Sequence, residues 1–239
     1  MDKRALMVYG HEIWLELSRV HDAGVEIELA YGDCMRTDGF IDPRSVSPVA
    51  YDPEGNRIAL EIIPRNEHHL ITLPTGTPGF YVSAVDLQPV TISISQSEGC
   101  KLGPKHMYGD TLYAGAYHQM AKIIVPVGNA GKYHARHLHG IFDIIPDTAW
   151  LVPGSDIGLT LLYEGIPVPG IEVSAVSKVD GKTWATGKTG AVGIARLRVP
   201  GTGTWMFIAR HRDRQKRREN EYDETVFVTT LVMETVRGW

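Results

Sequence analysis

The residues with most chemistry to offer crowd into Tyr133–Gly140, YHARHLHG, where His134, His137 and His139 fall close together. In an extended segment His137 and His139 project from one face, about 6.6–6.8 Å apart, because alternate side chains of a strand share a face. Two neutral imidazoles so placed form a bidentate anchor for nickel, cobalt, copper or zinc. His134 points the other way and joins them only where the chain bends. A mononuclear site takes about four to six ligands, so further donors must come from elsewhere, His11 first and then His118 beside Tyr117. His68 and His69 are adjacent and read as an exposed turn, while His21 and His211 read as surface residues. Met120, or His106 with Met107, would add softer donors, although methionine more often fills a core. Cys34 and Cys100 are thiolate candidates or plain buried residues, and whether they pair is left open. The alternative for the whole segment is a polar loop that binds nothing.

Other chemistry finds little support. Gly181–Thr189, GKTWATGKT, imitates a phosphate-binding loop, but its spacing is one residue too long and it sits in a hairpin, not before a helix. A Gly-x-Ser-x-Gly elbow, a His-Glu-x-x-His pair and a dinucleotide-binding glycine loop are all missing. The chain therefore reads as a non-enzyme, with a metal-dependent hydrolase as the lesser alternative. Arg210–Arg218 is rich in cations but runs directly into Glu219, Glu221, Asp223 and Glu224, the mark of a solvated hairpin. With a net charge of −4 it gives no reason to expect a nucleic-acid partner. A metal-free structural module, or one binding carbohydrate or protein, would show exposed aromatics among Trp14, Trp150, Trp184, Trp205 and Trp239.

The elements that would position these residues are strands. The 239 residues, 43% apolar with 25 glycines and 14 prolines, read as short strands closed by frequent turns. Val25–Tyr31, Ile58–Ile63, Gly79–Val85, Val90–Ser95 and Ala121–Val127 are strand-like, and one or two helical turns are expected near Tyr113–Lys122, with a strand approach as the alternative. The second half alternates more cleanly, with strands at Ile157–Tyr163, Ile166–Pro169, Ile171–Lys178, Lys182–Thr186, Val192–Val199, Gly203–His211 and Thr225–Thr235. The expected class is all-β, with two β-sandwich domains: an irregular one over residues 1–146 that carries the candidate metal site, and an immunoglobulin- or transthyretin-like one over 147–239. The join is placed at Pro146–Pro153. No run of 18 apolar residues spans a membrane, and the apolar run Ala5–Tyr9 is too short for a secretory leader.

Several segments resemble a known family. His11–Glu16, HEIWLE, is similar to the His-Glu-Phe-Trp-Leu-Glu opening of the nickel uptake transporter family, with Ile13 in place of the aromatic. Tyr117–Gly128, Phe142–Pro146 followed by Leu151–Gly154, Leu161–Gly170, Thr186–Leu197, Pro200–Ala209 and Val226–Thr235 resemble later stretches of the same family, although Lys188-Thr189-Gly190 replaces its acidic turn. The resemblance implies a periplasmic or extracellular protein that binds nickel or cobalt and serves as an accessory to a membrane metal transporter. It also makes His11 the leading partner for His137 and His139. Ten residues precede the hexad here without a visible leader, which keeps a cytoplasmic location as the alternative.

Overall fold

Strands make up 57% of the chain and helix 6%, so the all-β class is what the chain adopts. The computed structural model describes residues 1–21, 24–66 and 68–236. A short helix, α1 (Lys3–Gly10), precedes β1 (Glu12–His21), β2 (Gly24–Asp33), β3 (Val46–Tyr51), β4 (His69–Pro74), β5 (Gly79–Leu87), β6 (Val90–Ser95) and β7 (Thr111–Val127). After a loop come β8 (Phe142–Pro146), β9 (Asp156–Tyr163), β10 (Glu172–Ser177), β11 (Thr183–Lys188), β12 (Ile194–Arg198), β13 (Thr204–Asp213) and β14 (Glu224–Glu234).

Three sheets stack in layers. The outer sheets are β1-β2-β4, edged by short strands, and β8-β9-β12. Between them runs a ten-stranded sheet whose long path is β11-β10-β13-β14-β7-β5-β3, with β6 on the first half of β7. One face of this central sheet packs Val85, Ala121, Ile123 and Val125 against Ile13, Leu15, Ile27 and Leu29 of the amino-terminal sheet. Its other face packs Phe207, Phe227 and Leu231 against Phe142, Ile144, Leu159 and Leu161 of the carboxy-terminal sheet. A third cluster, Trp14, Tyr117, Met206, Ile208, Val226 and Val228, lies towards α1, whose Ala5 is buried in it. Every residue of β14 from Glu224 to Met233 is buried, so its apolar residues do not alternate but come in blocks, Val226–Val228 and Leu231–Met233. Each large apolar side chain so buried contributes about 1.5–3 kcal/mol.

Two expectations change here. Tyr113–Lys122 is not helical but lies inside the 17-residue strand β7. Its alanines, methionine, glutamine and lysine favour helix locally, but β7 is paired along both edges: to β6 and β5 on one side, and in parallel to β14 on the other. Nor does the expected join at 146/147 coincide with a break in the packing. β7 and β14, one from each half, are neighbours in a single sheet, and β8 just before the join belongs to the carboxy-terminal core through Phe142 and Ile144.

Candidate functional site

β7 alternates between two environments, and each holds part of the expected chemistry. Its His118, Met120 and Lys122 turn towards the carboxy-terminal layer, and Tyr117, Gln119 and Ala121 turn towards the amino-terminal one.

On the first face lies the loop from Gly128 to Ile141, which carries the histidine cluster. The loop is not a strand, and His137 and His139 share no carboxylate partner. Instead the two rings serve different carboxylates. Buried Lys122 pairs with Oδ1 of buried Asp143, and His137 Nδ1 donates to the remaining Oδ2 at 3.0 Å. His139 Nε2 donates to Asp86 Oδ2 at 2.7 Å, and the Tyr51 hydroxyl donates to its Nδ1 at 3.2 Å. The tautomer follows from the partner, since a carboxylate only accepts. Arg136 fastens the same loop by donating to the Pro53 and Glu54 carbonyls. His134 is exposed on it. His118 is packed against Phe227 with ring centroids 5.8 Å apart and the rings tilted by 50°, and burial holds its pKa below the usual imidazole value, partly opposed by Asp86. Asp86 Oδ1 is buried without a hydrogen-bond partner.

His11 sits on the other face of the molecule's central sheet, where Nε2 donates to Asp38 Oδ1 at 2.9 Å. The five expected ligands therefore do not converge. Among the described residues no three His, Cys, Asp or Glu side chains gather to hold an ion, so the donor set does not fit the single nickel or cobalt centre that the resemblance implies. Cys34 makes a poor thiolate: burial and its hydrogen bond to Asp33 push its pKa up to about 11. Cys34 and Cys100 are both free. His69 is buried inside β4, with Nε2 donating to the Ile41 carbonyl at 2.7 Å, and is not the exposed turn expected. His211 is also less superficial than its sequence implied, its ring lying 4.5 Å from that of Tyr163.

The second face of β7 holds what the sequence did not point to. Between the sheets, beside α1, is a cavity of about 290 Å³ walled by Val8, Phe40, Ile41, Leu87, Val90 and Leu102 and edged by Tyr31, Tyr117 and Gln119. A smaller one of about 120 Å³ shares Val8 and Tyr117 and reaches His11, Arg210 and Arg212. Three buried polar atoms here have no hydrogen-bond partner, Tyr31 Oη, Gln119 Oε1 and His11 Nδ1, while the Tyr117 hydroxyl lies against that of Tyr113. Tyr31, Tyr117 and Gln119 are 6%, 5% and 3% exposed, so bulk water does not serve them, and each orphan carries a desolvation cost of about 1–3 kcal/mol. Burial holds both phenols far above the usual tyrosine range. Nearby, the carboxylate of Glu12 is buried, taking the Cys34 amide at 2.9 Å and Arg210 at 2.8 Å. Burial raises its pKa while Arg210 opposes the rise. The readable signal was Gln119, an amide set among apolar neighbours of a strand.

The fold so described is that of an all-β sandwich protein built on one shared sheet. The chain belongs to the family described as domain of unknown function DUF4198, which it matches over residues 8–213. No curated protein sequence matches it. Solved structures with some similarity include the Escherichia coli adhesin FdeC, 11% identical over 95% of this chain and 64% of that one, with a TM-score of 0.25. Escherichia coli alpha-2-macroglobulin spanning domains MG0-NIE-MG1 is 10% identical over 94% and 96%, with a TM-score of 0.24. The BSP domain of a biofilm associated protein is 9% identical over 94% and 52%, with a TM-score of 0.24. The chain thus spans less than two thirds of the length of the first and third. At such scores the likeness carries no argument, and the fold rests on the strand pairing described above.

Proposed function

We propose that the chain is a non-enzymatic binding module that holds a small molecule between its sheets, in the cavity edged by Tyr31, Tyr117 and Gln119. The observation that carries this reading is a mostly apolar-walled cavity of about 290 Å³ edged by the buried side chains of Tyr31, Tyr117 and Gln119, the composition of a ligand pocket at the small end of the usual range. Binding without turnover is supported by the two phenols, which burial keeps protonated and so poor as nucleophiles or bases. The test is a fragment library screened by ligand-observed nuclear magnetic resonance on the intact chain and on Val8→Trp, which fills the cavity from the helix. A set of fragments lost in the variant supports the site; identical hits in both proteins would remove it.

A second reading keeps the transition metal that the family resemblance implies, in narrower form. It is favoured by Asp86, whose Oδ2 faces His139 while its buried Oδ1 is unpartnered. In this reading nickel or cobalt is held by Asp86 and His139 with help from outside the described set, and the protein works outside the cytoplasm beside a membrane transporter. Calorimetric titration with nickel should then lose its signal in Asp86→Asn and His139→Ala and keep it in His134→Ala. Equal heats in all of them, or none in wild type, would discard the metal.

A further inference from the structure

The histidine loop has a second side. His137 and His139 turn to Asp143 and Asp86, while Lys132, His134, Arg136 and Leu138 line a cavity of about 230 Å³ between the loop and the start of β5. Pro53, Pro78, Phe80 and Val82 form its opposite wall. That wall is braced. The Phe80 ring lies 5.4 Å from that of Tyr133, which also lines the cavity, and 5.6 Å from that of Trp150, both edge-on. None of these residues borders the cavity beside Tyr31 and Gln119, so the two sites stand or fall separately.

Every ionisable group that lines this cavity, Tyr133 apart, is a cation or can become one. Burial keeps the Tyr133 phenol protonated, its pKa pushed up to about 12. Lys132, His134 and Arg136 are exposed, so a solute can reach them. Lys132 has no acidic partner among the described residues. Arg136 is fixed at the rim, where its guanidinium donates to the Pro53 and Glu54 carbonyls at 2.6 and 3.1 Å. A guanidinium carries five N–H groups, so three remain, already held in place for an oxyanion. The carboxylates nearby are occupied: Asp143 by Lys122 and His137, Asp147 by Arg196 at 4.0 Å, and Asp52 by Asn56. Glu54 is exposed on its turn and does not line the cavity. A cation therefore meets like charge here, and a neutral solute leaves both charges unanswered. An anion answers them without moving Arg136. The apolar wall asks for a body behind that charge, and 230 Å³, below the about 300–1,000 Å³ of a drug-sized pocket, leaves room for one ring.

We infer that the cavity under the histidine loop binds a single-ring compound carrying a carboxylate or phosphate, held by Lys132 and Arg136 against Pro53, Pro78 and Tyr133.

The experiment uses the intact chain with amides and tyrosine side chains isotopically labelled, at fixed ionic strength. It is titrated with benzoate, phenyl phosphate, benzyl alcohol, benzylamine, acetate and inorganic phosphate. Benzoate or phenyl phosphate should shift Tyr133 and the amides of residues 130–138 saturably, and the tighter of the two identifies the oxyanion. Benzyl alcohol and benzylamine should bind at least about tenfold more weakly, the difference that a hydrogen bond to a charged group makes. Lys132→Glu should weaken the anion about tenfold or more, because it puts repulsion in place of attraction. Its melting temperature should stay that of wild type, since Lys132 holds nothing in the fold. Equal affinity for benzyl alcohol or benzylamine removes the anion, and equal affinity for acetate or inorganic phosphate removes the ring; either overturns the inference. It is equally overturned if no compound moves Tyr133, or if Lys132→Glu binds the anion as wild type does.

Discussion

Asp143 shows how a residue that sequence inspection passes over can control ones it singles out. Its carboxylate is buried and must satisfy two oxygens, so it takes Lys122 on one and His137 on the other. His137 thereby has its Nδ1 committed to a buried acid, and only Nε2 is left open. Asp143→Ala should destabilise the protein by about 3–5 kcal/mol, because it strands the Lys122 ammonium in the core. Lys122→Met/Asp143→Leu should cost much less, and chemical denaturation that ranks the two the other way would refute the account. His118 makes a pH prediction. Burial lowers its folded pKa, so the unfolded chain binds its proton first as pH drops. The stability that neutral His118 contributes is complete above about pH 6.5, its unfolded value, and is lost progressively as pH falls towards the folded value. His118→Phe keeps the ring against Phe227 and should flatten that part of the acid decline. An unchanged slope in melts between about pH 7 and 5 would show that the decline comes from other groups.

At the scale of elements, β7 is the spine of the molecule. It is hydrogen-bonded on both edges through its middle, to β14 along Gly115–Ile123 and to β6 and then β5 on the opposite side. Its two faces separate the two candidate chemistries, so a change that alters its register by one residue would exchange Gln119 for His118 or Met120 in the cavity. Amides of Ala116–Ile123 in β7 should be among the slowest to exchange, since exposing them requires opening the sheet that both halves share. Fast exchange there, with protection confined to β13 and β14, would mean that the parallel β7–β14 seam opens by itself. The loop from Gly128 to Ile141 is held chiefly by side chains: Arg136 reaches the turn at Pro53 and Glu54, His137 reaches β8 and His139 reaches β5.

At the scale of the whole chain, the shared sheet makes the two halves depend on one another. Removing residues before Asp147 strips β8 from β9 and exposes the β7-facing edge of β14, and bare edges invite non-native pairing. Calorimetry of the intact chain should therefore show one unfolding transition, and a fragment of residues 128–239 should give better dispersed amide resonances than one of residues 147–239. Two well-separated transitions, or a well-dispersed 147–239 fragment, would establish the join at 146/147 as a true domain boundary. Among the described residues no helix is long and apolar enough to cross a membrane.

Local pattern determined a great deal of this protein. The turn-bounded alternation of the second half placed its strands to within a residue or two, from β9 at Asp156–Tyr163 to β14 at Glu224–Glu234, because each face of a strand meets one environment and the side-chain period of two records it. Trp205 reads as a core residue and is one, 3% exposed, while Trp150 and Trp184 are exposed and Trp239 lies outside the described residues. Tertiary structure decided what period and composition do not encode. It drew β7 into a strand against its helix-forming residues, because pairing on both edges outweighs local propensity. It joined the halves through one sheet, a contact between residues more than a hundred positions apart. It also divided the histidines among separate acidic partners and gathered Tyr31, Tyr117 and Gln119 around a cavity. Spacing along the chain locates neighbours on one strand, whereas a site assembled from several strands follows from register and layer packing.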